Sequence, residues 1–570
     1  MPLFVFAFMF SFVLPPQAQS QQAAGLFSET TTPQGAPPQA PRATVMRQRL
    51  VNINFEQMRA TLPASLGGPG GGLGGGPGAS QTLDLNLFPD AQFVAVRNRI
   101  EITDTGYVWV GEIENLEPGA VTLAVNGTVM QGNVTAPNGS YAIRFTPGGA
   151  HVIEQVDLNA FPPELPPIEP ELVAAADQPP VMSDDGSLID LIVVYTPLAR
   201  TSAGGTSAMQ SLIDLGVSET NQAYTNSGAI QRIRLMRKEE IAYVESGSMS
   251  TDLVRLQSTS DGHMDSVHSL RNTYAADLTQ LIVNSPESCG IAYVQSTVSN
   301  TFAPFAFGVT HYPCISPNYS FAHEMGHNMG LAHDTYPPNQ ADPAFAYGHG
   351  YVNQAAFVGG APTNKRWRTI MAYNDQCLAV GGFNCTRLLY FSNPLNTFTS
   401  DPMGNAVTAD AVHNLDNTRV TVSNFRTATT PLDNFSNARE IFTSPFADSL
   451  NTVAFTSEGT DPTPSCGNGS KLKSAWYRFT PAVPGSATVD TFGSTYNTIL
   501  SVYTGTTGSF VSVGCNDDAS ATVQSQLTFA MAAGVTYSIM LTAFNGDGGT
   551  LTLNLTAPIL KKRKGQTISD

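Results

Sequence analysis

The sequence predicts a multidomain chain: a central α/β (α+β) domain with a twisted mixed sheet, preceded by a β-rich module and followed by a β-sandwich. Three observations lead there. The chain has 570 residues, too many for one ordinary core. Its apolar residues alternate with period two towards both ends but take helical spacing in the middle. Charged residues make up only 13%, beside 50 glycines and 39 prolines, which suits β-rich modules and loose connections.

Taken in order, residues 3–14 form an apolar run of signal-sequence length. Pro15-Pro16 breaks it, and Ala18-Gln19-Ser20 is a small-x-small cleavage pattern. The run is preceded by no Lys or Arg, only the α-amino charge. Residues 1–20 are expected to be a signal peptide and the product to be secreted. No later segment reaches the roughly 18 continuous apolar residues of a membrane span. Residues 21–90 read as disordered, being rich in Gln, Pro and Ala, with 66–80 nearly all glycine and proline. From 91 the pattern becomes short alternating strands at 93–96, 107–111, 121–125 and 141–145, an antiparallel module. A proline-rich acidic connector over 161–180 completes this 91–183 unit.

The central domain is placed at 184–428. It opens with a strand at 189–197. Met209, Leu212, Ile213, Gly216, Val217, Thr220 and Tyr224 then share one helical face. A strand at 232–237, an amphipathic helix over 263–276 and a strand at 276–283 follow. From 432 to 557, strands at 474–479, 487–491, 498–503 and 536–541 have sandwich spacing. The last segment, 558–570, carries Lys561-Lys562-Arg563-Lys564, a solvated basic tail or cleavage point.

A net charge of −17 argues against nucleic acid as a partner. Six cysteines in an exported chain suggest three disulfides. Connectivity is not fixed by sequence, and domain order makes Cys289–Cys314, Cys377–Cys385 and Cys466–Cys515 the natural pairing. Zinc ligation by cysteine is the alternative, and no C-x-x-C pair supports it.

The chemistry is concentrated in His323-Glu324-Met325-Gly326-His327-Asn328-Met329-Gly330-Leu331-Ala332-His333-Asp334. The run from 320 to 332 has helical periodicity and no proline. On a helix His323 and His327 share one face, with Cβ atoms roughly 5–6 Å apart, suited to one Zn²⁺ at about 2.0–2.1 Å. Glu324 points beside the metal, where it can take a proton from the activated water. Gly330 can adopt positive φ, end the helix and let His333 return as third ligand. Three protein ligands leave a fourth position for water, as in catalytic rather than structural zinc sites.

Downstream lies Trp367-Arg368-Thr369-Ile370-Met371-Ala372-Tyr373. With the extended histidine motif, this resembles the metzincin metalloproteases and their methionine turn. Asp334 after the third histidine, the opening Ile189-Asp190-Leu191-Ile192-Val193-Val194-Tyr195-Thr196-Pro197, Ser288-Cys289-Gly290-Ile291-Ala292-Tyr293-Val294 and Tyr390-Phe391-Ser392-Asn393-Pro394 are similar to the reprolysin-like (adamalysin-type) bacterial secreted group. The resemblance implies a zinc endopeptidase made as a zymogen, with Met371 as an apolar floor beneath the imidazoles and the module before residue 184 as propeptide. Tyr373, at a position where astacins and serralysins place a tyrosine near zinc, either polarises the substrate carbonyl or packs. No cysteine precedes Cys289, so a thiolate from the pro-region cannot block the metal. An Asp or a backbone carbonyl is left for that role, and a module that only assists folding is the alternative. The resemblance places the S1′ pocket around 374–393. His263, His268, His311 and His349 read as structural or surface residues, with His311 the best placed to line the cleft.

The region containing Tyr503-Thr504-Gly505 and Cys515-Asn516-Asp517-Asp518 resembles the bacterial pre-peptidase C-terminal domain. Asp490, Asn516, Asp517 and Asp518 are candidate oxygen ligands for a structural Ca²⁺, or polar turns at a sandwich edge. The expected partners are protein or peptide substrates, with no nucleic acid, no stable membrane insertion and a monomeric chain. A surface-binding protein with a vestigial site is the competing class, and the intact glutamate and three histidines argue against it. A zinc hydrolase acting on cell-wall peptide is a third.

Overall fold

Period-two runs of Leu, Val and aromatic residues dictate the first sheet. The computed structural model describes residues 25–30, 42–62, 81–172, 186–338, 341–426, 432–441, 444–453, 455–481, 483–519 and 522–557. The expected signal peptide, the 66–80 linker and the basic tail lie outside them. In the first sheet Thr82–Phe88, Ala91–Ile102, Tyr107–Ile113, Ala120–Asn126, Val129–Ala136, Gly139–Phe145 and His151–Val156 lie side by side in chain order. Val45–Ile53 and then Phe27–Glu29 extend the far edge, and every neighbour is antiparallel. The sheet curls until its edges meet, with Phe27 N–H donating to Asn86 Oδ1 at 2.9 Å.

The expectation that 21–90 is disordered is therefore corrected at both flanks of the glycine-proline stretch. Leu83, Leu85 and Leu87 are buried while Asp84 and Asn86 between them are only partly so, a period-two signal that the bulk composition obscured. Val45–Ile53 is ordered by a partner strand about a hundred residues away, which no local pattern announces.

Both faces of this sheet are used. Trp109, Leu123, Tyr141 and Ile143 fill its own core. Val108, Val110 and Ala124, on the opposite face, join the core of the following domain against the helix Thr206–Ser227. That helix buries Met209, Leu212, Ile213, Gly216, Thr220 and Tyr224 as its periodicity demands.

Polar groups are trapped at this junction. Lys238 bonds Asp214 at 2.8 Å, and Asn133 Nδ2 donates to Glu219 Oε1 at 2.7 Å. Burial pushes the Glu219 carboxyl up to about 7, against weaker opposing effects of Asn133, Ser316 and Arg144. A raised carboxyl contributes stability that is fully present below about 4.5 and lost as pH rises through about 7. Glu219→Gln is thus expected to stabilise the full chain at pH 8, by on the order of 3 kcal/mol, and to have little effect at pH 4.5. Thermal melts of both proteins at the two pH values test this, and equal differences at both would refute it.

The central sheet runs Arg232–Glu240, Leu188–Tyr195, Leu278–Val283, Phe307–His311, Gly290–Ala292. The first four strands are parallel, and the last pairs antiparallel at the edge. Leu188–Tyr195 is buried along its whole length, as a parallel strand covered on both faces must be. The expected helix over 263–276 is shorter, Ser266–Thr273, because residues 259–264 form bends and Ala275 takes positive φ. A helix at Met249–Gln257 was not anticipated, although Met249, Leu253 and Leu256 bury one face at helical spacing.

Residues 432–557 form two facing sheets. One holds Arg439–Ile441, Ala475–Phe479, Tyr537–Ala543, Thr498–Thr504 and Val511–Asn516. The other holds Phe446–Asn451, Thr550–Thr556, Gly485–Asp490 and Gln526–Met531. Tyr477, Leu500, Ile539, Val489 and Leu553 meet between them. The calcium candidates are not gathered into one site. Asp490 Oδ1 accepts from Asn554 and from Phe492 N–H, whereas Asn516 Oδ1 accepts from Gln526 N–H. Among the described residues the cluster of metal-ligating side chains is the histidine triad.

The three disulfides are Cys289–Cys314, Cys377–Cys385 and Cys466–Cys515, with Cα atoms 5.4, 5.9 and 5.7 Å apart. No helix of the described residues is long and apolar enough to cross a membrane.

Candidate active site

The helix Ser320–Asn328 carries His323 and His327 on one face and ends four residues earlier than the periodicity suggested. Gly330 then takes φ +83°, and Leu331 N–H returns to Gly326 O at 2.9 Å. This reversal brings His333 back to the helical pair. The three Nε2 atoms lie 3.1 Å from one another. Two zinc ligands at about 2.0–2.1 Å in a tetrahedron stand about 3.3 Å apart.

The outer nitrogens fix the tautomers. His323 Nδ1 bonds the Ile370 carbonyl at 3.0 Å, and His327 Nδ1 bonds the Leu331 carbonyl at 2.8 Å. A carbonyl only accepts, so each Nδ1 carries the proton and each Nε2 turns a lone pair inward. Burial pushes the His323 imidazole down to about 3, only partly offset by Glu164, and holds His327 well below its ordinary value. Neutral imidazoles with converging lone pairs fit a cation.

His349 Nδ1 bonds the backbone carbonyl of His333 at 2.7 Å, so this histidine steadies the third member of the triad. His311 instead packs edge-on against Tyr312 at the end of its strand, and burial lowers it to about 4. His268 Nε2 bonds the carbonyls of Leu256 and Ser258, and His263 meets Tyr243 edge-on.

Met371 is fully buried, its sulfur packed against Gly326, where an added Cβ would lie 2.6 Å away. Glu324 is also fully buried, and neither carboxylate oxygen has a hydrogen-bond partner among the described residues. Burial holds its carboxyl well above the usual range, reinforced by nearby Glu164. The carboxylate rests against Gly290 of the edge strand, where a Cβ would lie 2.2 Å from Oε1. Tyr373 lies tilted beside the triad, its ring centroid 3.9 Å from that of His333. Its N–H donates to Asp334 Oδ1 at 2.7 Å and its hydroxyl to the Glu164 carbonyl at 2.9 Å.

Glu164 escaped the sequence reading. It belongs to the proline-rich connector, whose backbone adds to the edge of the sheet. Cys289 N–H donates to Pro163 O at 3.1 Å, Leu165 N–H to Gly290 O at 2.8 Å and Ile168 N–H to Ala292 O at 2.9 Å. Its side chain forms a two-pronged ion pair with Arg387, Nη1 to Oε1 at 2.5 Å and Nη2 to Oε2 at 3.0 Å. Burial alone would raise this carboxyl, but Arg387, His323 and Ser320 outweigh it and hold it well below the usual range. Arg387 falls within 374–393, the one hint available beforehand.

A family model described as metallo-peptidase family M12 matches residues 186–392. A peptidyl-Asp metalloendopeptidase of Stenotrophomonas maltophilia (strain K279a) is 37% identical over 357 residues, which cover 58% of this chain and 80% of that protein. One from Xanthomonas campestris pv. campestris is 36% identical over 373 residues, covering 61% and 82%. The peptidyl-Asp metalloendopeptidase of Pseudomonas fragi is 35% identical over 208 residues, covering 36% of this chain and 100% of that protein. With the triad, the methionine beneath it and these relatives in view, the chain belongs to metallo-peptidase family M12 as a reprolysin-like metzincin and is a zinc metalloendopeptidase.

Proposed function

We propose that the protein is a secreted endopeptidase made as a zymogen, in which His323, His327 and His333 hold the zinc and Glu324 is the general base. One observation carries the reading: three inward-facing Nε2 atoms at 3.1 Å lie beside a buried carboxylate that has no other partner among the described residues. Zinc bound there supplies Lewis acidity, making water nucleophilic near neutral pH and polarising the scissile carbonyl. Glu324 accepts the proton of the attacking water and passes it to the leaving amine. The edge strand Gly290–Ala292 offers backbone groups to an extended peptide, as exposed sheet edges do. The hydrogen bond from the Tyr373 hydroxyl to the Glu164 carbonyl supports a role in donating to a substrate carbonyl.

In the zymogen the connector around Glu164 occupies that edge, so the N-terminal sheet and connector act as the propeptide. The apolar N-terminal run and the disulfides support export. The names of the relatives support cleavage at aspartyl residues. The facing sheets over 432–557 support an appended pre-peptidase C-terminal module.

Casein zymography of the secreted protein, with zinc analysis and N-terminal sequencing of the same sample, tests the reading. A cleared band should vanish with a chelator and return with Zn²⁺, and its N-terminus should lie beyond the connector. Clearing by metal-free protein would overturn the zinc assignment, and an active band retaining the connector would overturn the zymogen.

A further inference from the structure

We propose that Arg387 selects an acidic residue flanking the scissile bond, and that Glu164 occupies that selectivity pocket in the latent chain as an internal substrate mimic. The inference rests on the endopeptidase reading above and names the side chain that recognises the substrate.

The pocket is built for a carboxylate. Both side chains of the Glu164–Arg387 pair are only 2% exposed, and the two prongs match the planar fork of a guanidinium. Ser320 Oγ donates to Glu164 Oε1 at 2.7 Å, and Asn318 O accepts from Arg387 Nη1 at 3.0 Å. Every one of these groups except Glu164 belongs to the central domain. Arg368, buried nearby, bonds the Cys385 and Ala372 carbonyls and adds positive charge. Removing the connector would leave a guanidinium, held by the Asn318 carbonyl, and a hydroxyl around a carboxylate-sized space. A peptide seated there covers the guanidinium again, and a neutral side chain would bury it without a counter-charge, so the pocket favours a peptide bearing Asp or Glu over its neutral analogue.

The pocket adjoins the chemistry. The backbone on either side of Glu164 bonds Cys289 and Gly290, and Gly290 carries the Glu324 carboxylate against its Cα. The Glu164 carbonyl meets the Tyr373 hydroxyl beside His333. Glu164 therefore lies at the position of a residue next to the cleaved bond. The connector runs parallel to the edge strand, with Ile168 opposite Tyr293. Prolines bracket it on both sides, as Pro162-Pro163 and Pro166-Pro167.

The test uses full-length protein and two fluorogenic peptides that differ only in Asp against Asn at the central residue. Glu164→Gln should raise turnover of the Asp peptide by full-length protein about tenfold or more, with Asp preferred over Asn by about 100-fold in kcat/KM. Adding Arg387→Gln to that variant should bring the ratio close to one while the peptides are still cut. A third measurement does not depend on changing the arginine. A free peptide of residues 161–169 should inhibit the Glu164→Gln protein about tenfold better with its glutamate than with glutamine in its place.

Unchanged turnover on Glu164→Gln, equal cutting of Asp and Asn peptides, equal inhibition by the two free peptides, or a preference that survives Arg387→Gln would each overturn this inference and leave the endopeptidase reading intact. A latch that merely holds the connector gives the first effect without the selectivity change, and so overturns the assignment to Arg387. Zinc-loaded protein that cuts no peptide in any variant would instead bring down the endopeptidase reading, and this inference with it.

Discussion

Glu324→Gln is expected to retain zinc and lose peptide hydrolysis by about 10²–10⁴-fold in kcat, the contribution of a positioned general base. The amide keeps the shape of the carboxylate and its packing on Gly290. It leaves the imidazoles and their outer bonds to Ile370 and Leu331 untouched, so metal affinity should persist. What the amide removes is proton-accepting capacity. Elemental analysis of the purified variant, beside kcat and KM on one peptide, separates the two effects. A variant with full zinc and hydrolysis within about threefold of wild type would remove Glu324 from the chemistry, since that lies outside the range expected of a lost base.

Gly330→Ala is expected to destabilise the chain by about 2–5 kcal/mol, combining left-handed backbone strain with overpacking. At φ +83° a Cβ would stand 2.6 Å from the Ala344 Cβ and 3.1 Å from Gln295 O. The damage should reach the metal. The turn at Gly330 positions Leu331, whose carbonyl holds His327 Nδ1, and it brings His333 back. Zinc should therefore dissociate from the variant more readily, as competition with a coloured chelator would show, and the urea midpoint should fall. An unfolding curve superimposable on that of wild type would contradict the role given to the turn.

The chain pattern made the triad legible because a helix turns a spacing of four into a shared face, and a glycine in the left-handed region allows an immediate reversal. Both rules act within a dozen residues. Four of the nine strands described in 432–557 were legible for the same local reason, through alternation, and the other five were not read. The strands at Phe27–Glu29, Val45–Ile53 and Thr82–Phe88 were not, because glycine and proline dominate their stretch of sequence and two of them are ordered by distant partners. The missed helix Met249–Gln257 had a readable apolar face but is barely longer than two turns. His349 read as a structural or surface residue, and its place is structural, although nothing in the sequence puts it on the carbonyl of His333.

By itself, then, the sequence determined the geometry of the triad: which imidazoles converge and which glycine turns the chain. Only the tertiary structure decided what lies against the edge strand. Glu164 and Arg387 are 223 residues apart, one in a proline-rich connector and the other after a disulfide loop. An ion pair has no periodicity along the chain, so it becomes visible only once the sheet edge and the connector lie together in space.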